Sequence, residues 1–162
     1  ARMLESGEAP LFIARRLVIL ASEDIGLAEP EALAIAVAAQ QAVHFLGMPE
    51  ARIPLAEATV YLATAPKSNS AYMALEKALD DVRKLGNDPV PLRLRNAVSG
   101  LMKAHGYGGG YQYAHDYPDH FAHQEYLPES LKDRRYYEPT DLGREKEIRE
   151  RLNKWWGMSE RT

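Results

Sequence analysis

The chain has 162 residues, 46% of them hydrophobic and 27% charged, with 20 Lys and Arg against 23 Asp and Glu, no cysteine and a formal net charge of −3. That length supports one well-cored domain, and that balance of apolar and charged residues excludes a disordered chain. The lack of cysteine excludes disulfides, thiolate metal sites and a Cys nucleophile, and with a pI near 6.0 any nucleic-acid contact needs a local basic patch rather than a global field.

No apolar run reaches the ~20 residues that span a bilayer, and the start, ARMLESGEAP, has neither the basic region nor the apolar core of a signal peptide. These features lead to the expectation of a cytoplasmic address with no membrane partner. The chain opens without Met in what reads as mid-helix, Ala1 to Ser6 stopped by Gly7, so it is expected to be part of a longer protein.

Residues 1 to 86 read as consecutive helices. Pro10 suits the first turn of a helix to about Ile25, since its missing N–H is one the first turn leaves unpaired, and Gly26 can take the left-handed conformation that ends it. Pro30 and Gly47 bracket the next helix. Its apolar residues Leu33, Ile35, Val37, Val43 and Leu46 lie among so many alanines that most of its circumference is apolar or small, which predicts a central helix. Pro54 opens a third, ending near Ala65 and Pro66. Ser68 or Asn69 caps a fourth that stops at Gly86, with Tyr72, Leu75, Leu79 and Val82 on one face and Glu76, Lys77, Asp80, Asp81 and Arg83 elsewhere.

After Gly86, residues Asn87 to Pro91 predict a turn and extended backbone, because each proline drives its predecessor out of the helical region. A short helix is expected from about Leu94 to His105, with Leu94, Val98, Leu101 and Met102 as an apolar stripe and Gly106 as its stop. From Tyr107 to Pro139 the sequence predicts a loop with single helical turns near Asp119 to His123 and Pro128 to Lys132; a loop that long usually carries function or binds something. The last helix is expected from Thr140 to Trp156, capped by Thr140 or Asp141, with Glu145–Arg149, Glu147–Arg151 and Glu150–Lys154 as i, i+4 pairs and Ile148, Leu152 and Trp155 on its docking face. Gly157 to Thr162 reads as a frayed tail.

Residues Pro91 to Tyr137 gather most of the tyrosines, four of the five histidines and the run Gly108-Gly109-Gly110. His115, Asp116, Asp119, His120 and His123 offer ligands for zinc or iron, but His120 and His123 are three apart and match no metalloprotease helix. A phosphate-cradling loop at Gly106 to Gly110 follows a helix instead of a strand and lacks the Lys and Ser or Thr of a Walker A loop, so no ATP site is expected in this chain. Ser99 and Ser130 stand in no nucleophile frame, and no catalytic, metal or cofactor-binding residue is assigned. Two readings stay open. Arg93, Arg95, Lys103, Arg134 and Arg135, with Tyr107, Tyr111, Tyr113, Tyr117, Tyr136 and Tyr137, form a mixture that holds phosphates and stacks bases, although Asp116, Asp119, Glu125 and Glu129 lie among them. The same Tyr and Arg content is what protein interfaces enrich, which makes an interface the preferred reading.

Several stretches resemble the C-terminal helical region of the replication-associated recombination protein A family, a clamp-loader-like branch of the AAA+ ATPases related to the Werner-helicase-interacting proteins. They are IARRLVILASEDIGLA (13–28), AVHFLGMPEARIPLAEATVYLATAPKSNSAY (42–72), PVPLRLRNA (89–97), GYGGGYQYAHDYP (106–118) and EYLPESLKDRRYYEPTDLG (125–143). The resemblance implies an all-α multi-helix array like a clamp-loader collar, with the irregular Gly/Tyr/His-rich segment before its last helix. Residues 1–27 would end the helical region that follows the ATPase core, and 28–162 would be the C-terminal oligomerisation domain. It further implies a homotetrameric, DNA-dependent ATPase at stalled or damaged replication forks, with ATP and Mg bound in a region before Ala1. Single-strand DNA-binding protein and other replication proteins are further candidate partners. Gly109, where relatives often carry Lys, is a departure that weakens phosphate binding by the glycine run.

Overall fold

Proline and glycine punctuation sets the first helices of the computed structural model, which describes residues 1–86, 88–132 and 134–157. Helix α1 (Arg2–Glu5) precedes Gly7, and α2 (Pro10–Leu20) opens on Pro10, as expected. At Ala21–Ile25 the helix widens into a π-turn before Gly26 ends it at φ 52°. A Cβ at Gly26 would lie 2.8 Å from the Ser68 carbonyl oxygen, so the glycine is required both by its backbone angle and by the neighbouring chain. Pro30 precedes α3 (Glu31–Leu46), and Gly47 closes it. Then come α4 (Arg52–Thr64), with Pro54 inside its first turn, and α5 (Ser70–Leu85). No β-strand occurs among the described residues, so the fold is all-α.

The chain divides into two compact units, one of Ala1–Lys77 with Tyr136–Glu150, the other of Ala78–Arg135 with Arg151–Thr162. In the first unit α3 packs against both α2 and α4, but it is enclosed on one side only: Ala32, Ala36, Ala39 and Val43 are buried while Leu33, Val37 and Phe45 are exposed, so the central place expected from its apolar circumference holds for half of the helix. Seven of the twelve buried residues in the core cluster are alanines: Ala14, Ala21, Ala32, Ala36, Ala39, Ala51 and Ala58. Side chains this small let helix axes approach to the near end of the usual 8–10 Å range, so the core is built from backbone proximity rather than from bulk. Leu17, Ile25, Val43, Leu55 and Leu62 fill the spaces that remain. Burying each such side chain contributes about 1.5–3 kcal/mol.

The second unit has few wholly buried side chains, Ala122 and Gln124 among them. Short 3₁₀ turns at Leu92–Leu94, Ala114–Asp116, Pro118–His120 and Glu129–Leu131 link extended stretches, and the turns expected near Asp119 and near Pro128 are present. The helix expected over 94–105 is a correction. Only α6 (Gly100–Ala104) forms, because Ser99 caps it by accepting a hydrogen bond from the Met102 N–H and leaves Arg95 to Ser99 outside the helix. The predicted apolar stripe therefore does not assemble: Val98 is 81% and Leu101 71% exposed.

The last helix is corrected too. Helix α7 (Glu145–Trp156) starts five residues after the expected Thr140, and neither Thr140 nor Asp141 stands at its first turn as a cap. Of the predicted i, i+4 pairs, Glu145 is instead enclosed by hydroxyl donors, Arg149 pairs with Asp141 and Lys154 with Asp119 at 2.7 Å. Of the proposed tail, residues 158–162 lie outside the described residues, as does Asn87 of the predicted turn.

Candidate functional site

In the first unit the most organised polar cluster surrounds Glu145, the first residue of α7 and 0% exposed. Its Oε2 accepts from the Ser68 hydroxyl at 2.7 Å, the Thr140 N–H at 2.8 Å and the Thr140 hydroxyl at 2.7 Å. Its Oε1 accepts from the Tyr137 hydroxyl at 2.9 Å and from the Ser70 hydroxyl. Burial alone would raise the Glu145 carboxyl. The bonds from Ser70, Thr140 and Ser68 outweigh it and hold the carboxyl down at about 2, against an ordinary 4.5. Burial first, and then the bond to Glu145, push the Tyr137 phenol up to about 12.

A carboxylate that ionised has no proton to give and, with five donors on it, little basicity to offer. It is a structural clamp joining the start of α5 to the start of α7. The helix N-terminus adds a favourable dipole for the negative charge. Nearby, the Arg144 N–H donates to the Ala28 carbonyl at 2.8 Å, and Gly143 at φ 53° sits against that same carbonyl.

In the second unit the residues singled out from sequence fall into two groups. Arg93, Arg95 and Arg134 are engaged within the chain. Arg93 donates from Nε to the Glu125 carbonyl at 3.0 Å and from a second nitrogen to the same oxygen. Arg95 donates to the Val90 carbonyl at 2.6 Å and to the Tyr107 hydroxyl at 3.3 Å, with its guanidinium 5.3 Å from the Tyr107 ring. Arg134 pairs with Asp81 at 3.2 Å. The second group faces solvent: Lys103, Arg135, Tyr111, Tyr113 and Tyr117. Three of the five cations are thus spent on holding this unit together, and Lys103 and Arg135 remain exposed.

Two features hold the irregular segment that the sequence left as loop. The buried Gln124 amide accepts from the Gln112 N–H at 3.3 Å and donates to the Gln112 carbonyl at 2.9 Å, a side chain acting as a strand partner would. Phe121 stacks on Trp155 with ring centroids 5.1 Å apart and planes 4° from parallel, and Trp156 meets both Phe121 and His123 edge-on. The candidate metal ligands do not gather around one point: the His115 and His120 rings are tilted 55° to each other with centroids 4.9 Å apart, His123 meets Trp156 edge-on, and Asp119 is taken by Lys154. Among the described residues no group of three His, Cys, Asp or Glu could hold a metal ion. A cleft of about 410 Å³ lined by Asp88, Pro89, Pro91, Arg93, Leu127, Pro128, Glu129 and Ser130 holds the Ser130 hydroxyl donating to the Asp88 carboxylate, an exposed pair with no histidine lining the cleft beside it.

Sequence reasoning missed the Glu145 clamp and the exposed apolar face of α3. On α3 residues Leu33, Ala34, Val37, Ala38, Gln41, His44 and Phe45 all face solvent, and no Asp, Glu, Lys or Arg occurs between Ala32 and Pro49. That charge-free run was readable as a signal. The apolar face of α5 is exposed as well, at Tyr72, Leu75, Leu79 and Val82, as are Ile53 and Val60 on α4. No helix among the described residues is long and apolar enough to cross a membrane.

Comparison with known proteins agrees with the resemblance carried by the quoted stretches. The family model described as MgsA AAA+ ATPase C terminal matches residues 1–156. An uncharacterised AAA-domain-containing protein of Mycobacterium tuberculosis is 52% identical over 95% of this chain and 34% of its own length. Replication-associated recombination protein A of Coxiella burnetii is 47% identical over 99% of this chain and 37% of its own. The ATPase WRNIP1 of Dictyostelium discoideum is 49% identical over 85% and 16%. The chain therefore spans about a third, or less, of the length of these relatives. With the family model covering nearly every residue, the chain belongs to the C-terminal region of the MgsA/RarA family of AAA+ ATPases, the family of replication-associated recombination proteins.

Proposed function

We propose that this region is the homo-oligomerisation module, forming a tetramer, of a DNA-dependent AAA+ ATPase that maintains replication forks and serves recombination and repair. The observation that carries the reading is the apolar surface left in solvent: the faces of α3, α4 and α5 described above are helical faces of the kind that soluble chains cover. Association brings several ATPase modules and weak DNA contacts together, raising avidity through effective concentration. ATP and Mg would be bound outside this chain, in the region that the longer relatives carry, and the assembly would act in the cytoplasm at the fork. Further replication proteins, single-strand DNA-binding protein among them, are candidate partners.

Light scattering tests the reading directly. A mass near four times 18.2 kDa is expected, and a clean monomer at micromolar concentration refutes it. A second reading, a DNA-binding module with no role in subunit contacts, is favoured by the exposure of Tyr111, Tyr113 and Tyr117 and of Lys103 and Arg135 in the same unit. It predicts salt-dependent affinity for single-stranded or forked DNA that falls on Lys103→Ala with Arg135→Ala, together with a monomeric mass.

A further inference from the structure

We infer that the groove between α1 and the solvent face of α4 seats an amphipathic helix, supplied by the polypeptide that leads into Ala1 in the longer proteins of this family and lying antiparallel to α4. The inference does not depend on self-association and leaves the faces of α3 and α5 to that reading.

Two cavities form the groove. One, of about 430 Å³, is lined by Met3, Leu4 and Ile13 and by Leu55, Ala56 and Val60 of α4. The second, of about 730 Å³, extends along α4 through Ile53, Tyr61 and Thr64. Arg52, Ala56 and Val60 line both, so the two are continuous. Along the groove Ile53, Ala56, Val60 and Thr64 recur every three or four residues, all exposed, with Ile53 at 69% and Val60 at 65%. A stripe of that period is one ridge of a helix pair, and its partner is a second helix whose apolar residues fall into the spaces between these four.

The place and polarity of α1 select the occupant. Glu5, the last residue of α1, pairs with Arg52, the first residue of α4, at 3.5 Å. Ala1, at the other end, lines the groove together with Thr59 and Val60. Helix α1 thus runs against α4, and polypeptide leading into Ala1 comes along the groove from the later turns of α4. In the relatives such polypeptide exists, since this chain matches a C-terminal family model and spans 34% and 37% of two of them. Helix α1 is a single turn with no side-chain bond at its N-cap, and one turn of helix does not sustain itself in water. At ~1.5 Å per residue the 13 residues of α4 span about 20 Å and the 4 of α1 about 6 Å, which leaves room for roughly nine more helical residues. A helix joined at Ala1 meets the groove at an effective concentration on the order of millimolar, an advantage that a second copy or a nucleic acid arriving by diffusion lacks. The exposed Glu57 on the groove also repels a phosphate backbone and favours a cation on the incoming helix.

The test replaces Val60 of the full-length protein with the photo-crosslinker benzoylphenylalanine. Irradiation should join position 60 to peptide from the roughly nine residues before Ala1, within one chain and without change of mass. A crosslinked dimer, a crosslink that needs DNA, or no crosslink to that peptide overturns the assignment. Hydrogen exchange supplies a second measurement. The amides of α4 should exchange about tenfold or more slowly in the full-length protein than in the 162-residue chain, at any protein concentration. Val60→Glu should abolish the difference while leaving the urea midpoint of the 162-residue chain unchanged, and Leu79→Glu on α5 should preserve it. Equal exchange in the two proteins, or slowing that grows with concentration, refutes the proposal. A monomeric mass in light scattering refutes the self-association reading alone and leaves this one standing.

Discussion

Substitution Glu145→Gln isolates the charge of the clamp while nearly preserving its shape. The Oε2 position receives the Thr140 N–H, which can only donate, so the glutamine oxygen must sit there. Its NH₂ then falls at Oε1, where the partners Ser70 and Tyr137 are hydroxyls that can turn and accept. What disappears is the ionised carboxylate. Its folded-state value of about 2 against 4.5 corresponds to about 3 kcal/mol at pH 7, a contribution fully present above pH 4.5 and lost as pH falls through 2. The linkage relation leaves about 1 kcal/mol near pH 3 and well under 1 kcal/mol at pH 2. Urea denaturation followed by far-ultraviolet circular dichroism at pH 7, 4 and 3 should show the wild-type advantage over Glu145→Gln shrinking in that order. A gap that stays constant from pH 7 to pH 3 would refute the claim that the clamp acts through its charge.

Tyr137→Phe should cost about 1–2 kcal/mol at neutral pH. Because the folded phenol is raised above its ordinary 10.0, wild type should also lose stability between pH 10 and 12, a loss the variant lacks, as alkaline denaturation would show. Gly143→Ala places a Cβ 2.0 Å from the Ala28 carbonyl oxygen and 2.9 Å from Pro66 Cγ at a left-handed backbone angle; a loss of about 3 kcal/mol or more is expected in urea titration, and a neutral effect would show that the Ala28 contact yields. For Phe121 and Trp155, a double-mutant cycle to Ala should give a coupling of about 0.5–1.5 kcal/mol, and zero coupling would contradict the stacking.

The helical frame was legible because its signals are local. Pro10, Gly26, Pro30 and Gly47 fix helix ends through their own backbone angles, whereas the apolar circumference of α3 could not say that Ala32, Ala36 and Ala39 turn inward while Leu33, Val37 and Phe45 face solvent. Glu145 was not legible because its partners Ser68 and Ser70 lie 77 and 75 residues away, while the nearby Arg149 offered a plausible helix-surface pair. The helix expected over 94–105 failed for a related reason: an apolar period was weighed above the capping power of Ser99, and Arg93 and Arg95 found backbone carbonyls outside any helix. Tyr and Arg content indicated an interface in the irregular segment, yet composition alone does not say which guanidinium groups fold the chain and which remain available to a partner.

The alanine-built core reverses the usual direction of mutational risk. In most domains the damaging core changes remove volume; here seven of the twelve cluster positions already hold the smallest side chain that packs, so the common hazard is a methyl group too many. A saturation screen of positions 14, 32, 36 and 58 should tolerate Gly or Ser and reject Val or Leu. Sequence drift in this region is therefore expected to be slow in its interior, even where the individual residues look unremarkable.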